Sequence, residues 1–317
     1  MRAVVVDPDA PGRLVQREFD APALQPHEAL VRVHAVSLNR GEVSFSLTSP
    51  PAGARPGWDL AGVVETPAAD GTGPQAGTRV VGIVESGAWA EAVAVRTDAL
   101  SALPDSVSFA QAATLPVAGL TAYHALHKGG LLLGKTVLIT GATGGVGDFA
   151  IRLGKLAGAR IVAHVRRPGQ AVQVTDAGAD HVAVGESLAQ AAGGLGPYAL
   201  IIDSVGGQVL GDALEMVSKG TRIVSFGTSM GDPVTFDART FFSKGLTTLI
   251  GFMLFDELQA AEPASPGLKR LADLVAAGRL VPFSSAERPW TQIAAVAQEL
   301  LDRKYPGKAV LHIIEED

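Results

Sequence analysis

Two patterns of hydrophobic and polar residues divide the chain at about residue 115. Before that point, short apolar or alternating runs such as RAVVVD, ALVRVHAV and TRVVGIV are separated by Pro, Gly and Asp, which predicts an all-β part with many turns. After it, apolar runs alternate with segments of helical spacing, the pattern of a doubly wound α/β fold with a parallel sheet. The predicted strands of that sheet are 136–140, 160–165, 181–184, 198–203, 221–226 and 246–251. A helical stretch over 256–277, the segment WTQIAAVAQELLDRK and a final strand, KAVLHII, follow.

The first strand of the α/β part leads into a glycine-rich turn and then into an amphipathic helix. The turn residues are Ala142, Thr143, Gly144, Gly145, Val146 and Gly147. Their A-x-G-x-x-G spacing is that of a dinucleotide fingerprint, in which small residues let the backbone approach a pyrophosphate at the helix N-terminus. We therefore expect a dinucleotide cofactor here; the alternative is a tight glycine turn that binds no ligand.

The end of the second strand of the α/β part indicates which dinucleotide binds. An NAD site keeps an acidic residue about twenty residues after the glycines, where it binds the ribose 2′-hydroxyl. This chain has Arg166 and Arg167 there, and no acid between Ile161 and Gln170. Because guanidinium groups suit a 2′-phosphate, the sequence favours NADPH. The alternative is a solvated arginine pair on a loop.

The octapeptide GGLLLGKT, residues 129–136, matches the phosphate-binding loop of nucleoside triphosphatases letter for letter. That loop functions between a strand and the helix that follows it. Lys135 and Thr136 instead open a predicted strand, and the interior of the loop is a run of leucines. We interpret the match as accidental.

Composition excludes several classes of protein. The 317 residues are 47% hydrophobic and 18% charged, which is enough for two domains with sizeable cores. A formal net charge of -6, with no basic cluster larger than an arginine pair, argues against nucleic-acid binding. The chain has no cysteine, which excludes disulfides, thiolate catalysis and Cys-ligated zinc. It shows neither a signal peptide nor an apolar run of membrane-spanning length, and we expect a cytoplasmic protein.

The chain resembles the zinc-free quinone oxidoreductases of the medium-chain dehydrogenase/reductase superfamily, the group that includes zeta-crystallin. The motifs that carry this resemblance include SLNRGEV, PGWDLAGVVE, GAWAEAVAV, AATLPVAGLTAYHAL, GKTVLITGATGGVG, IIDSVGG, IVSFGTS and GKAVL, which together extend over essentially the whole chain. The resemblance implies a GroES-like β-barrel catalytic domain, residues 1–117 and 280–317. It implies a Rossmann domain, residues 118–279, inserted into that barrel, and a homodimer.

The resemblance also assigns roles to individual residues. Asn39, the only asparagine in the chain, matches a family asparagine near the nicotinamide and the substrate, and Thr121 matches a threonine beside the nicotinamide. A turn residue and a helix cap are the structural alternatives for these two. Asp59 matches a family acid with a structural rather than catalytic role. Cofactor contacts are expected at Gly227, Thr228, Phe252, Met253 and Leu254.

Two positions depart from the family pattern, and no metal ligands are evident. Ser44 stands where a tyrosine of the quinone pocket is common, and Gly185 stands where a tyrosine that touches the 2′-phosphate is common. His124 and His127 have the spacing to share a helix face, but a pair at a cleft rim or on the surface is the favoured interpretation. We therefore expect no bound metal.

The function predicted from these features is hydride transfer from NADPH to a quinone or another α,β-unsaturated carbonyl compound, without zinc. Asn39 or Thr121 would hold the oxyanion that develops, and the final proton would come from water. Two alternatives stay open. One is an enoyl or carbonyl reductase of the same superfamily, and the other is a non-catalytic NADPH-binding sensor or structural protein.

Overall fold

The fold is that of a computed structural model in which residues 1–48 and 50–314 are described. The strands are β1 (Arg2–Val6), β2 (Leu14–Glu18), β3 (Glu28–Leu38), β4 (Asp59–Thr66), β5 (Arg79–Ile83), β6 (Ala92–Arg96), β7 (Leu100–Ala102), β8 (Thr136–Ile139), β9 (Arg160–Val165), β10 (His181–Val184), β11 (Leu200–Asp203), β12 (Arg222–Ser225), β13 (Thr248–Gly251), β14 (Ser284–Pro289) and β15 (Lys308–His312). The α-helices are α1 (Arg40–Thr48), α2 (Phe109–Ala113), α3 (Leu120–His127), α4 (Gly145–Leu156), α5 (Ala171–Asp176), α6 (Leu188–Ala192), α7 (Gly207–Glu215), α8 (Ala238–Ser243), α9 (Leu254–Ala260), α10 (Ala264–Ala276) and α11 (Ile293–Leu301). Among these described residues, no helix combines the length and the apolar character needed to cross a membrane.

The chain forms two compact units. The first consists of Met1–Leu120 and the residues from Leu258 on, and the second is Thr121–Glu257. The family resemblance implies domain boundaries at 117/118 and 279/280, so the larger difference lies at the second boundary. The reason is that α10 packs against β5 and β7 of the first unit, with its Leu268 and Leu271 buried.

The first unit is the predicted β part. Its main sheet has the order β14-β15-β3-β4-β5-β7, with β6 also paired to β3, and β1 and β2 form a separate antiparallel pair. The long strand β3 pairs with β4, β6 and β15, and two register shifts against β4 bend it. Trp89 is fully buried in the core of this unit. The fold places the end of β3 beside the start of β15.

The second unit is a six-stranded parallel sheet of order β10-β9-β8-β11-β12-β13. All six strands predicted from the apolar runs are confirmed, and the order is that of a Rossmann fold. Leu138, Val162, Ile201 and Ile223 bury one face of the sheet, as expected for continuous apolar strands in a parallel sheet. In such a fold, ligands bind outside the carboxyl ends of the strands where the strand order reverses. That place lies between β8 and β11.

Candidate functional site

Asn39 lies at the junction of β3 and α1, where its side chain joins three other buried polar residues. Its Nδ2 donates to Oε1 of Glu42 (2.9 Å) and to Oδ2 of Asp59 (2.8 Å), and its Oδ1 accepts from Nζ of Lys308 (2.5 Å). We call Asn39, Glu42, Asp59 and Lys308 the buried network. Both amide hydrogens of Asn39 are used inside this network. The oxyanion-holding role of Asn39 stays a prediction, and a substrate oxygen would have to replace one of these two acceptors.

Asp59 is the acceptor at the centre of the buried network. Its Oδ2 accepts from Oγ of Ser37 (2.6 Å) and from Nζ of Lys308 (3.1 Å), and its Oδ1 accepts from the backbone N–H of Val117 (2.9 Å). Asp59 thus ties together β3, β15 and the turn that precedes α3. These contacts agree with the structural role predicted for this acid.

Glu42 is a polar residue of the buried network that the sequence analysis missed. It is the third residue of α1, and its Oε1 accepts from the backbone N–H of Asn39 (2.7 Å), which is one half of a capping box. Complete burial, and then the charge of Asp59, raise the pKa of Glu42 to about 8, although Lys308 opposes the shift. Burial and the neighbouring Asp59 thus favour the neutral form of Glu42. The N-x-x-E spacing after a predicted strand is the sequence signal that identifies this contact.

A cavity of about 200 Å³ lies beside α1 in the first unit. Its lining includes Glu42 from the buried network, the aromatic side chains of Phe45 and Trp58, and the charged residues Arg55 and Glu85. An engineered cavity of about 150 Å³ holds one benzene molecule, so this cavity has room for a single ring. The aromatic lining gives such a ring two surfaces to contact.

The glycine turn of the second unit runs from the end of β8 into α4, as predicted. Ala142 and Gly147 are buried, Thr143, Gly145 and Val146 are half-buried, and Gly144 is exposed. A β-carbon on Gly147 would lie 2.5 Å from the carbonyl oxygen of Gly141 and 2.7 Å from Ala142. Only glycine fits at this position without a shift of the turn. The absence of a side chain there lets a ligand approach the backbone N–H groups at the N-terminus of α4. The carbonyl oxygen of Thr143 also accepts from Nε2 of Gln173 in α5 (3.1 Å).

Thr140 and Asp203 connect the ends of β8 and β11, the two strands between which the strand order reverses. Oγ1 of Thr140 donates to Oδ1 of Asp203 (2.6 Å), and Oδ2 of Asp203 accepts from the backbone N–H of Gly206 (3.0 Å). Burial raises the pKa of Asp203, while the hydrogen bonds from Thr140 and the backbone lower it. Asp203 thus fixes the start of the glycine turn to the loop that follows β11. The sequence analysis gave this residue no role.

Arg166 and Arg167 follow β9 directly, at the same edge of the sheet as the glycine turn. Arg166 is half-buried, and its Nη1 lies 3.7 Å from Sδ of Met230 in the segment after β12. Arg167 is exposed. The backbone N–H groups of both residues donate to Oε1 of Gln170 (3.2 and 3.1 Å). Arg166 therefore lies over the sheet edge, whereas Arg167 extends into solvent.

The remaining predicted cofactor residues follow β12 and β13 at this edge. Gly227 lies so close to the backbone of Ser204 that an added β-carbon would come within 2.8 Å of the Ser204 carbonyl oxygen. The backbone carbonyl oxygen of Thr228 accepts a hydrogen bond from the backbone N–H of Gly231 (3.0 Å). Among the three residues that follow β13, Phe252 and Leu254 are buried in packing and Met253 is exposed.

Three predictions concern the segment from Thr121 to Thr136. Thr121 is buried in the first turn of α3. His124 is buried, with Nδ1 3.8 Å from Oε1 of Glu257, and His127 is exposed. The segment GGLLLGKT connects α3 to β8, which is the reverse of a phosphate-binding loop and confirms that the match is accidental.

The chain has no cysteine, and the described residues contain no cluster of three His, Asp or Glu side chains able to hold a metal ion.

Comparisons with known proteins match both units. The family model described as alcohol dehydrogenase GroES-like domain matches residues 25–105, and the model described as zinc-binding dehydrogenase matches residues 145–267. The quinone oxidoreductase of Thermus thermophilus, whose structure was also determined in complex with NADPH, is similar with a TM-score of 0.85 and 27% identity. That similarity covers 99% of this chain and 100% of the other.

Similar sequences among characterised proteins match smaller shares of the two chains than the Thermus thermophilus structure does. The 2-methylene-furan-3-one reductase of Solanum lycopersicum is 34% identical over 174 residues, which are 50% of this chain and 45% of that protein. A mitochondrial NAD(P)H oxidoreductase of Homo sapiens is 28% identical over 335 residues, 91% of this chain and 82% of the relative. A spectinabilin polyketide synthase system protein of Streptomyces orinoci (34% identical) and an erythronolide synthase of Saccharopolyspora erythraea (31% identical) also match, and the chain spans only 10% and 6% of their length.

Proposed function

Because the chain belongs to the quinone-oxidoreductase-like group of the medium-chain dehydrogenase/reductase superfamily, we propose that it is an NADPH-dependent reductase. It transfers hydride to a quinone or another α,β-unsaturated carbonyl compound, and it does so without zinc. The observation that carries this proposal is the glycine turn at the carboxyl edge of the Rossmann sheet, with Arg166 at the same edge.

The second unit supplies the residues that hold NADPH in this proposal. The tight turn at Gly147 leaves backbone N–H groups of α4 for the pyrophosphate, and Arg166 binds the 2′-phosphate through charge-assisted hydrogen bonds. Thr140 and Asp203 keep the turn in place. When bound, NADPH supplies the hydride from C4 of its nicotinamide ring. Thr121 keeps its proposed place beside that ring.

The first unit supplies the acceptor site. A cavity with room for one ring and with Phe45 and Trp58 in its wall favours a small conjugated ring, such as a benzoquinone or a cyclic enone. Polar groups in the same wall, Glu42 among them, orient the carbonyl oxygen.

The proposal includes a cytoplasmic homodimer. Support for self-association comes from β13, which is an outer strand of the Rossmann sheet with one unpaired edge within the described residues. Phe242, Leu246 and Leu249 expose apolar surface on or near this strand. Exposed strand edges of this kind pair with another chain. Sedimentation of the wild type against Leu249→Asp tests it: a dimer that dissociates in the variant supports the proposal, and a wild-type monomer contradicts it.

Anaerobic mixing with NADPH and three acceptors tests the function. We expect NADPH oxidation with 1,4-benzoquinone and cyclohex-2-enone, and little with cyclohexanone, which lacks conjugation. A preference for cyclohexanone would indicate a carbonyl reductase instead. Tight NADPH binding with no oxidation would indicate a sensor or structural protein.

A further inference from the structure

The two oxygens of the Glu42 carboxyl group differ in their hydrogen bonds within the described part of the chain. Oε1 accepts from the backbone N–H and from Nδ2 of Asn39. Oε2 is buried and has no hydrogen-bond partner among the described residues. A buried polar atom left in this way costs free energy and is rare in native structures. A few other buried polar atoms of the described residues share this state, among them Nε of Arg55 in the same cavity wall, but Oε2 of Glu42 is the only carboxyl oxygen in that set of the described residues.

The contacts of Oε1 determine where the proton of Glu42 resides. Because Oε1 already receives two N–H donors, its lone pairs are occupied and the proton of the neutral acid is on Oε2. Burial and the charge of Asp59 favour the neutral acid by raising its pKa to about 8. Oε2–H is then a buried donor that lacks an acceptor.

The orientation of the Asn39 amide follows from Lys308. The ammonium group of Lys308 is a donor only, so the atom that faces it at 2.5 Å is the amide oxygen. The amide nitrogen is thereby directed at Oε1 of Glu42, and Oε2 remains the acidic oxygen. Asn39 and Lys308 are positioning residues in this arrangement.

Glu42 also forms part of the wall of the ring-sized cavity. The charged groups around it are Asp59 of β4, Lys308 of β15, and Arg55 and Glu85 in the cavity wall. Lys308 favours the ionised form of Glu42 and Asp59 opposes it. Glu42 thus combines a transferable proton with a neighbouring cation that stabilises the carboxylate left behind.

Resting on the reductase function proposed above, we propose that Glu42 is the catalytic acid of this protein. Its Oε2–H donates to the carbonyl oxygen of a single-ring quinone or enone bound in the cavity. Hydride addition forms a C–H bond at the conjugated carbon, and the displaced π-electron pair moves to the carbonyl oxygen. That oxygen takes the proton of Glu42, and the Glu42 carboxylate regains a proton from solvent. An enol formed in this way becomes the saturated ketone.

The kinetic test compares Glu42→Gln with Glu65→Gln, in which an exposed glutamate of β4 outside the cavity wall receives the same substitution. Gln keeps the oxygen that accepts from Asn39 but cannot give up a proton. With cyclohex-2-enone we expect Glu42→Gln to lower kcat by about 10²- to 10⁴-fold, the range for general acid catalysis, at an unchanged Kd for NADPH. Wild-type kcat falls as pH rises through about 8, because the acid ionises, and the variant loses this dependence. Glu65→Gln behaves as the wild type.

Infrared spectroscopy gives a readout that does not depend on turnover. We expect a carboxylic-acid C=O band in the wild type at neutral pH that disappears as the pH is raised and is missing from Glu42→Gln. Absence of that band overturns the proposal. So does wild-type turnover that Glu42→Gln leaves unchanged in kcat and in pH dependence. A wild type that binds NADPH but reduces neither conjugated acceptor overturns the proposed function itself, and the catalytic role of Glu42 with it.

Discussion

Nζ of Lys308 lies 2.5 Å from Oδ1 of Asn39, although 269 positions separate these residues in the chain. The contact joins the start of β15 to the end of β3, and its ammonium group also reaches Oδ2 of Asp59 (3.1 Å). Because all of these groups are buried, each depends on the others for its hydrogen bonds. Lys308, near the C-terminal end of the sequence, therefore completes the hydrogen bonding of Asn39 and Asp59.

Lys308 should be a strong determinant of stability. Lys308→Met keeps much of the side-chain volume but leaves Asp59 and the Asn39 oxygen without their cation, which costs about 3–5 kcal/mol of unfolding free energy for a broken buried ion pair. Lys269→Met is the matched control, because Lys269 pairs with Asp273 on an exposed face of α10, where such a pair contributes about 0.5 kcal/mol or less. Urea unfolding measures both. Equal losses in the two variants would contradict the account.

Glu42 should make the folded state less stable as pH rises. Its pKa is about 8 in the folded protein against 4.5 for the free side chain, so between these values the folded state binds a proton that the unfolded state has released. The stability due to this group is fully present below about 4.5 and is lost progressively up to about 8. Gln does not ionise, so the stability of Glu42→Gln should not depend on pH through this group. As the pH rises from about 4.5 to about 8, the wild type should therefore lose unfolding free energy relative to the variant. Parallel curves in urea unfolding at several pH values would show that Glu42 ionises normally.

Arg166 should decide the preference for NADPH over NADH. Arg166 is half-buried and its Nη1 lies 3.7 Å from Sδ of Met230, whereas Arg167 is exposed. A charge-assisted hydrogen bond contributes about 1.5–3 kcal/mol, so Arg166→Ala should weaken NADPH binding by roughly 10- to 150-fold and leave the Kd of NADH nearly unchanged. Arg167→Ala is the control and should have a smaller effect. Calorimetric titration of both cofactors measures this, and equal wild-type affinity for NADH and NADPH would refute it.

Gly147 should be irreplaceable in the glycine turn. An alanine β-carbon would lie 2.5 Å from the carbonyl oxygen of Gly141, closer than any normal contact, so the turn or α4 has to shift. We expect Gly147→Ala to lower NADPH affinity at least about 10-fold, as loss of one positioned interaction does. Gly194→Ala, where the β-carbon meets no atom within 4 Å, is the control. Unchanged NADPH affinity in Gly147→Ala would show that the turn is not the binding site.

Local patterns account for most of the fold. The inner strands β8, β9, β11 and β12 were predictable because a strand buried on both faces is a continuous apolar run. The outer strands β10 and β13 are partly exposed and were predicted from their β-branched and apolar residues. The glycine turn was predictable because its residues are adjacent in sequence. The boundary at Leu258 was not, because it depends on α10 packing against β5 and β7, which are remote in sequence.

The same distinction separates the parts of the site. Asn39 is identified by its local motif, but the motif alone suggests a free amide, and only the fold brings Lys308 and Asp59 to it. Lys308 itself follows Gly307 at the start of an otherwise apolar strand and resembles a surface lysine in sequence. Lys308 is buried by residues that are remote in sequence, such as Asn39 and Asp59, so its neighbours in the sequence do not indicate its burial.

The central claim is hydride transfer to a conjugated carbonyl, and one measurement tests it most directly. The protein is incubated with cyclohex-2-enone and NADPH carrying deuterium at both C4 positions of the nicotinamide, and the product is analysed by NMR. The account predicts cyclohexanone with one deuterium at the carbon β to the carbonyl. Absence of cyclohexanone, or cyclohexanone without deuterium at that carbon, would contradict it.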